Sequence, residues 1–152
     1  MSEQTNYPAD IVARFWRRRS LRDSDAPAVA LLDAVLSSHR GPLYPLVLQH
    51  KALAAGLDVD RNIYTGTVQA SLTIPRGGDP KAAMTLLKAT LADIRANGVS
   101  ADLVEGMKKR WLASKDFEKN SIFELCSLWS GAVTAENIDS TDSSLDRFAK
   151  VT

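Results

Sequence analysis

The link Arg40-Gly41-Pro42-Leu43-Tyr44 lies between two stretches with helical spacing and so sets the order of the elements around it. Upstream, apolar residues recur every three or four positions, as on one face of a helix, at Val29, Leu32, Val35 and Leu36. Downstream, the same spacing recurs at Leu43, Leu46, Val47 and His50. Pro42 can open this second helix, because the first N–H groups of a helix have no intrahelical partner. The sequence therefore predicts two helices joined by a tight link.

Three other segments predict β-strands. Residues 67–74 alternate apolar and polar side chains without interruption, as in a strand with one wet face. A second alternating strand is predicted where Leu53, Leu57 and Val59 are set against Gly56, Asp58 and Asp60. These two strands should pair antiparallel through the loop at 61–66. Residues 11–16 are rich in β-branched and aromatic side chains. We expect one face of this first strand (Ile11, Ala13, Phe15) to be covered by helices and the other (Val12, Arg14, Trp16) to need a neighbour.

Capping signals predict the remaining helices. Asp25 before Pro27 starts the first helix, and Asp79-Pro80 and Asn97-Gly98 bound the longest one. Ser100 caps a helix with the apolar line Leu103, Met107 and Trp111, which leaves the basic run 108–110 largely outside that line. Ser121 and Glu124 form a capping box before the stripe Ile122, Leu125, Cys126, Trp129 and Val133, and Leu145 and Phe148 suggest a last helical turn.

This order of elements is typical of an α+β domain, an antiparallel or mixed sheet with helices packed on one face. A chain of 152 residues is about one domain's worth, so we expect a polar segment at 1–10 and a single domain at 11–152. The first residues carry no apolar core of a secretory signal, and the most apolar stretch, 26–36, is too short to span a membrane.

Few residues could carry chemistry. A zinc site needs at least three converging ligands, but the chain has only two histidines, His39 and His50, and no thiol pair, so we predict no metal site and structural roles for both. Cys126 lies within an apolar stripe and should be buried. Arg76-Gly77-Gly78 fits a plain turn better than a phosphate-binding loop. We predict no catalytic residue.

Basic and aromatic residues interleave between Arg14 and Arg22, as on surfaces that bind single-stranded nucleic acid. This cluster, which includes Arg17, supports an alternative hypothesis of a free-standing module for nucleic acid or an acidic partner. Arginines at a strand end equally serve to keep a sheet edge soluble or to pair with a neighbouring domain. The formal net charge of +1 argues against nucleic acid, because it gives no domain-wide positive field.

Three segments together resemble the second domain in each half of the insulinase/pitrilysin zinc peptidases, a family that includes the mitochondrial processing peptidase. They are the helix start 24–28, the link 36–44, and the stretch 94–100 with Leu103 and Lys108 after it. The similarity covers residues 11–152. In that family two related α+β domains form each half, the halves close around a peptide chamber, and the zinc ligands lie in a first domain. The resemblance therefore implies no zinc and no catalytic base in this chain.

The resemblance also bears on substrate binding and on the domain's extent. The family's non-zinc halves hold the substrate backbone with an arginine and, seven residues later, a tyrosine; these positions fall on Leu48 and Ala55, which can do neither. Family domains continue beyond the point matched by Val151-Thr152, so we expect a domain cut short at its C-terminus.

These implications favour a non-catalytic chamber domain, or a fragment, of a zinc peptidase or an inactive paralogue. Its expected partner is the missing catalytic domain or half-molecule, and a homodimer is the alternative way to cover its surface, with Val12, Trp16, Arg14 and Arg17 as interface candidates. A complete small hydrolase ranks last among the hypotheses. The sequence does not indicate a substrate or a compartment.

Overall fold

The computed structural model describes residues 8–18, 24–60, 65–118, 120–136 and 146–151. The strands and helices follow the order predicted from the sequence: β1 (Ala9–Arg18), α1 (Ala26–Leu36), α2 (Pro45–Leu48), β2 (Ala54–Val59), β3 (Gly66–Pro75), α3 (Pro80–Asn97), α4 (Ala101–Glu118) and α5 (Ile122–Gly131). A π-helical segment, Ala132–Glu136, continues α5, and residues 146–149 form one further helical turn.

The three strands form one antiparallel sheet in the order β1-β3-β2. The central strand β3 buries Ala70, Leu72 and Ile74 at every second position, as its alternation predicted. Helices α1, α2 and α3 pack against this sheet, and Leu43 and Leu87 are fully buried beneath them. The α+β class is thus confirmed, and every strand pair is antiparallel rather than mixed.

The expected assignment of the two faces of β1 is wrong. Val12 is 8% exposed and belongs to the core, and Trp16 packs against that core, whereas Ile11 and Phe15 are 59% and 61% exposed. The pairing register explains the reversal, because Val12 lies opposite the buried Leu72 of β3. Both faces of β1 carry large apolar side chains, so the pattern of this strand alone could not show which face the helices cover.

Helix α2 is shorter than predicted and begins at Pro45 rather than Pro42. The link before it is a series of tight turns, in which Tyr44 N–H donates to Gly41 O at 3.1 Å and Leu46 N–H donates to Leu43 O at 3.2 Å. The helix ends at Leu48, and two residues later His50 has a φ of 56° in the left-handed region. A residue in that conformation cannot continue an α-helix.

A second apolar cluster joins α1, α4 and the last helical turn. Leu31, Val35, Leu103 and Phe148 are its buried members. The Phe148 ring stacks on that of Trp111, with 3.8 Å between the centroids and 14° between the planes. Lys108, expected outside the apolar line of α4, is only 9% exposed, and its ammonium donates to Glu105 Oε1 at 2.9 Å. Its long aliphatic stem allows this burial while the charge stays paired.

Candidate interaction surface

Helix α5 starts where the sequence predicted and carries almost no charge. Ser121 Oγ accepts a hydrogen bond from the Glu124 N–H at 3.4 Å, which satisfies one of the free donors at the helix N-terminus. Glu124 is the only charged residue between Ile122 and Gly131. A helix this apolar normally lies in the interior of a protein.

Most side chains of α5 nevertheless face solvent, contrary to the predicted burial of its stripe, while Leu125 and Leu128 are half-buried. No residue of the helix is buried, and Ile122 and Phe123 are 85% and 78% exposed. Trp129 and Val133 are 42% and 56% exposed. In the part of the chain that the structure describes, only the π-helical segment that continues α5 packs extensively against it. We call the exposed side chains Ile122, Phe123, Cys126, Trp129 and Val133 the α5 surface.

Four members of the α5 surface follow one line along the helix. Ile122, Cys126, Trp129 and Val133 recur at intervals of four, three and four residues, the spacing of side chains that pack against a second helix. The sequence revealed this stripe but not its exposure, because periodicity shows which residues share a face and not what covers that face. Cys126 was expected to be buried, and it is instead an exposed free thiol.

The other interface candidates lie apart from α5. Arg14 and Arg17 are exposed on β1, but in a strand they point to opposite faces of the sheet. The Arg14 guanidinium lies 5.1 Å from the centroid of the Trp16 ring. Two further arginines of the cluster, Arg19 and Arg22, lie outside the described residues. The described part of the cluster therefore does not form a single basic surface.

The residues considered for chemistry are scattered. The His39 ring stacks on Tyr44 at 4.7 Å, and His50 is exposed after α2. Across the described ranges, no three His, Cys, Asp or Glu side chains are grouped to hold a metal ion. Neutral imidazoles, thiolates and carboxylates must converge to bind zinc, so the described residues do not fit that metal.

The glycine turn and the two substrate-clamp positions do not form a site either. The N–H of Gly77 donates to an Asp10 carboxylate oxygen at 3.0 Å, which ties the Arg76-Gly77-Gly78 turn to β1 instead of leaving it free for a phosphate. Leu48, at one of the two substrate-clamp positions, is 63% exposed at the end of α2, while Ala55, at the other, packs against the core from β2.

No described helix is long and apolar enough to cross a bilayer. No family model matches the chain, and no curated protein does so either.

Several solved structures match the fold of the chain. A candidate zinc protease from Bordetella pertussis Tohama I superposes with a TM-score of 0.82 at 18% identity, covering 93% of this chain and 79% of that one. The inactive peptidase domain of a candidate zinc protease from Bordetella parapertussis gives 0.79 at 18% identity, with 93% and 79% covered. A protease from Helicobacter pylori gives 0.84 at 12% identity, covering 98% of this chain but 36% of that one.

Two of these three structures are described as zinc proteases, which the sequence resemblance had pointed to, and one of them as an inactive peptidase domain. The chain therefore has the α+β fold of these protease structures, and the resemblance to the insulinase/pitrilysin family is confirmed at the level of the fold.

Proposed function

We propose that this chain is a non-catalytic domain of an insulinase-family zinc peptidase, which supports proteolysis only together with a separate zinc-bearing domain. The shared fold supports the family, and the lack of a metal-binding group among the described residues supports the division of labour. The observation that carries the proposal is the α5 surface, because a charge-poor helix left in water needs a partner.

The size of the α5 surface supports a partner domain. An aromatic side chain carries about 200 Å² of surface, so the exposed fractions of Phe123 and Trp129, with those of Ile122 and Val133, leave on the order of 400 Å² of apolar side chain in water. That is as large as the largest patch on a typical monomer, which is often functional. Covering it would contribute about 10 kcal/mol before the costs of association are subtracted.

The exposed face of the sheet offers a second contact. Ile11 and Phe15 lie on the face of β1 opposite the helices, and each is more than half exposed. An apolar partner could cover this face as well as the α5 surface, which would make the interface discontinuous. A second copy of the chain is the alternative occupant of the α5 surface.

Reconstitution tests the proposal. The chain should be co-purified with the zinc-bearing domain encoded in the same reading frame or beside it, recognisable by a His-x-x-Glu-His helix. We expect the pair to cleave a mixed peptide library, the chelator-treated pair to be inactive, and each part alone to be inactive. Trp129→Glu should weaken the pairing at least tenfold, because it places a charge in the interface.

Trp16→Glu is the matched control for Trp129→Glu. Trp16 packs against the core, so this substitution should lower the stability of the chain, whereas Trp129→Glu should lower it less, because Trp129 is 42% exposed. Full activity of the zinc-bearing domain by itself would contradict the proposal, as would cleavage by the chain alone. Sedimentation that shows a dimer of the chain broken by Trp129→Glu, with no binding of the zinc-bearing domain, would identify the second copy as the occupant instead.

A further inference from the structure

A cavity of about 640 Å³ opens between the end of α1, the loop after it and the middle of α4. Its polar rim carries Arg40 and His39 from the loop and Arg110 from α4. Its apolar wall carries Leu103 and Met107, which lie one helical turn apart on α4. We call it the Arg40–Arg110 cavity. It lies on a different part of the molecule from the α5 surface.

Gly106 keeps the α4 side of this cavity open. Glycine inside a helix costs about 1 kcal/mol relative to alanine, so a glycine in the middle of α4 is unfavourable unless something needs the space. Gly106 does not have a positive φ, and a Cβ built on it would meet no described atom within 4 Å outside its own helix. The fold therefore does not require glycine here. Its effect is to leave the α4 wall of the cavity without a side chain at this position.

The donors on the rim suit an anion. Arg40 gives one N–H to Asp102 at 3.1 Å, in an ion pair whose side chains are 74% and 83% exposed. Such a pair contributes little, and a guanidinium has five N–H donors, so Arg40 can still bind an oxyanion. Among the described residues, Arg110 has no ion-pair partner. The His39 ring is held by its stacking on Tyr44.

The serines at the cavity do not compete as donors. Ser37 Oγ donates to Leu57 O at 2.8 Å and accepts from the Leu57 N–H at 3.1 Å, and Ser38 Oγ donates to Val35 O at 2.9 Å. Both hydroxyl protons are therefore donated to backbone oxygens, that of Ser37 to β2 and that of Ser38 to the end of α1. The two guanidiniums and the imidazole remain as the groups that can bind a ligand.

We propose that the Arg40–Arg110 cavity binds a small organic anion, with a carboxylate or phosphate held by Arg40 and Arg110 and an apolar body placed beside Gly106 on Leu103 and Met107. Guanidinium groups bind both oxyanions through paired N–H donors. The apolar wall adds affinity for an anion that carries a ring or an alkyl group. This proposal does not depend on the proposed function.

Titration of the full 152-residue chain, followed by amide NMR shifts, tests the site. The probes are phenyl phosphate, phenylacetate, neutral phenylacetamide and inorganic phosphate. We expect saturable binding of one or both phenyl anions, with the largest shifts at His39, Gly106 and Arg110. Inorganic phosphate and phenylacetamide should each bind at least tenfold more weakly, because one lacks the apolar body and the other the charge. The comparison of phenyl phosphate with phenylacetate identifies which oxyanion the site prefers.

Three variants test whether the cavity is the binding site. Arg110→Gln should weaken binding of the better phenyl anion at least tenfold, and Gly106→Leu should abolish it by filling the cavity, without loss of the fold because leucine favours a helix. Lys109→Gln removes a neighbouring exposed charge outside the cavity and should change nothing. Equal weakening by Lys109→Gln and Arg110→Gln, unchanged binding by Gly106→Leu, or no saturable binding of either phenyl anion would overturn the proposal.

Discussion

Gly41 shows how one residue fixes the link between α1 and α2. It is buried, and its N–H donates to Ser38 O at 2.9 Å. A Cβ at this position would lie against the carbonyl oxygens of Val35, Leu36 and Ser38, the last two at 3.0 Å. These oxygens belong to the backbone at the end of α1, so they cannot move aside as a flexible side chain would.

We therefore predict that Gly41→Ala lowers the free energy of unfolding by about 3 kcal/mol, because the extra methyl group overpacks rigid backbone. Gly106→Ala is the matched control, since nothing described crowds that position and alanine favours the helix interior; it should raise stability by about 1 kcal/mol. Urea unfolding of both variants, at an unchanged m-value, measures the two effects. Equal midpoints for the two variants would contradict this account of the link.

The sequence shows where an unusual residue lies, but not what surrounds it in the fold. The link around Gly41 stood out because it interrupts two helical patterns, and its glycine has a steric reason that the structure supplies. Burial of Lys108 and exposure of Cys126 were both mispredicted, since each depends on what packs against a helix face. In the sequence, Gly106 is only a glycine inside a helical pattern, and its position beside a cavity is known only from the fold.

At the scale of elements, the last helical turn packs on α4 through an aromatic pair. Phe148 is 2% exposed and stacks on Trp111 beside Leu31 and Leu103. The turn spans only residues 146–149, which is too short to be stable alone. Its position therefore depends on Phe148.

We predict that Phe148→Ala lowers the free energy of unfolding by about 3 kcal/mol, the usual cost of removing a buried phenyl ring. Phe117→Ala makes the same substitution at a side chain that is 78% exposed, and it should change the free energy of unfolding by less than about 0.5 kcal/mol. Urea unfolding compares the two variants, and amide hydrogen exchange should show loss of protection at 146–151 in Phe148→Ala alone. Similar effects of the two substitutions would show that the aromatic pair does not hold the turn.

The order of elements could be predicted from the sequence, because the alternation of a strand and the caps of a helix each lie within a short stretch of residues. The buried face of β1 could not be predicted in this way, because apolar side chains lie on both of its faces. The register with β3 determines which face the helices cover. The shortened α2 followed from tight turns that a helical apolar pattern cannot show. The stripe of α5 was found correctly, but its exposure depends on which elements reach it.

For the molecule as a whole, the described residues offer two apolar surfaces to a protein partner, the α5 surface and the outer face of β1, apart from the Arg40–Arg110 cavity. Neither is strongly charged, which fits a formal net charge of +1 and a protein partner better than nucleic acid. Arg14 and Arg17 point to opposite sides of the sheet, so the described residues offer no continuous basic track for the alternative binding module.

Zinc binding distinguishes a non-catalytic domain from a complete peptidase. We predict that this chain binds no stoichiometric zinc and cleaves no peptide on its own, because zinc needs at least three converging ligands and the chain has two histidines on different segments and one cysteine. Calorimetric titration with zinc at neutral pH measures the binding, and a mixed peptide library measures cleavage with and without chelator. The double variant His39→Ala/His50→Ala is the control, and it should match the wild type in both assays. One tight zinc site that this variant loses would contradict the prediction on zinc binding. Library cleavage that chelator abolishes and zinc restores would show that the chain carries its own catalytic centre.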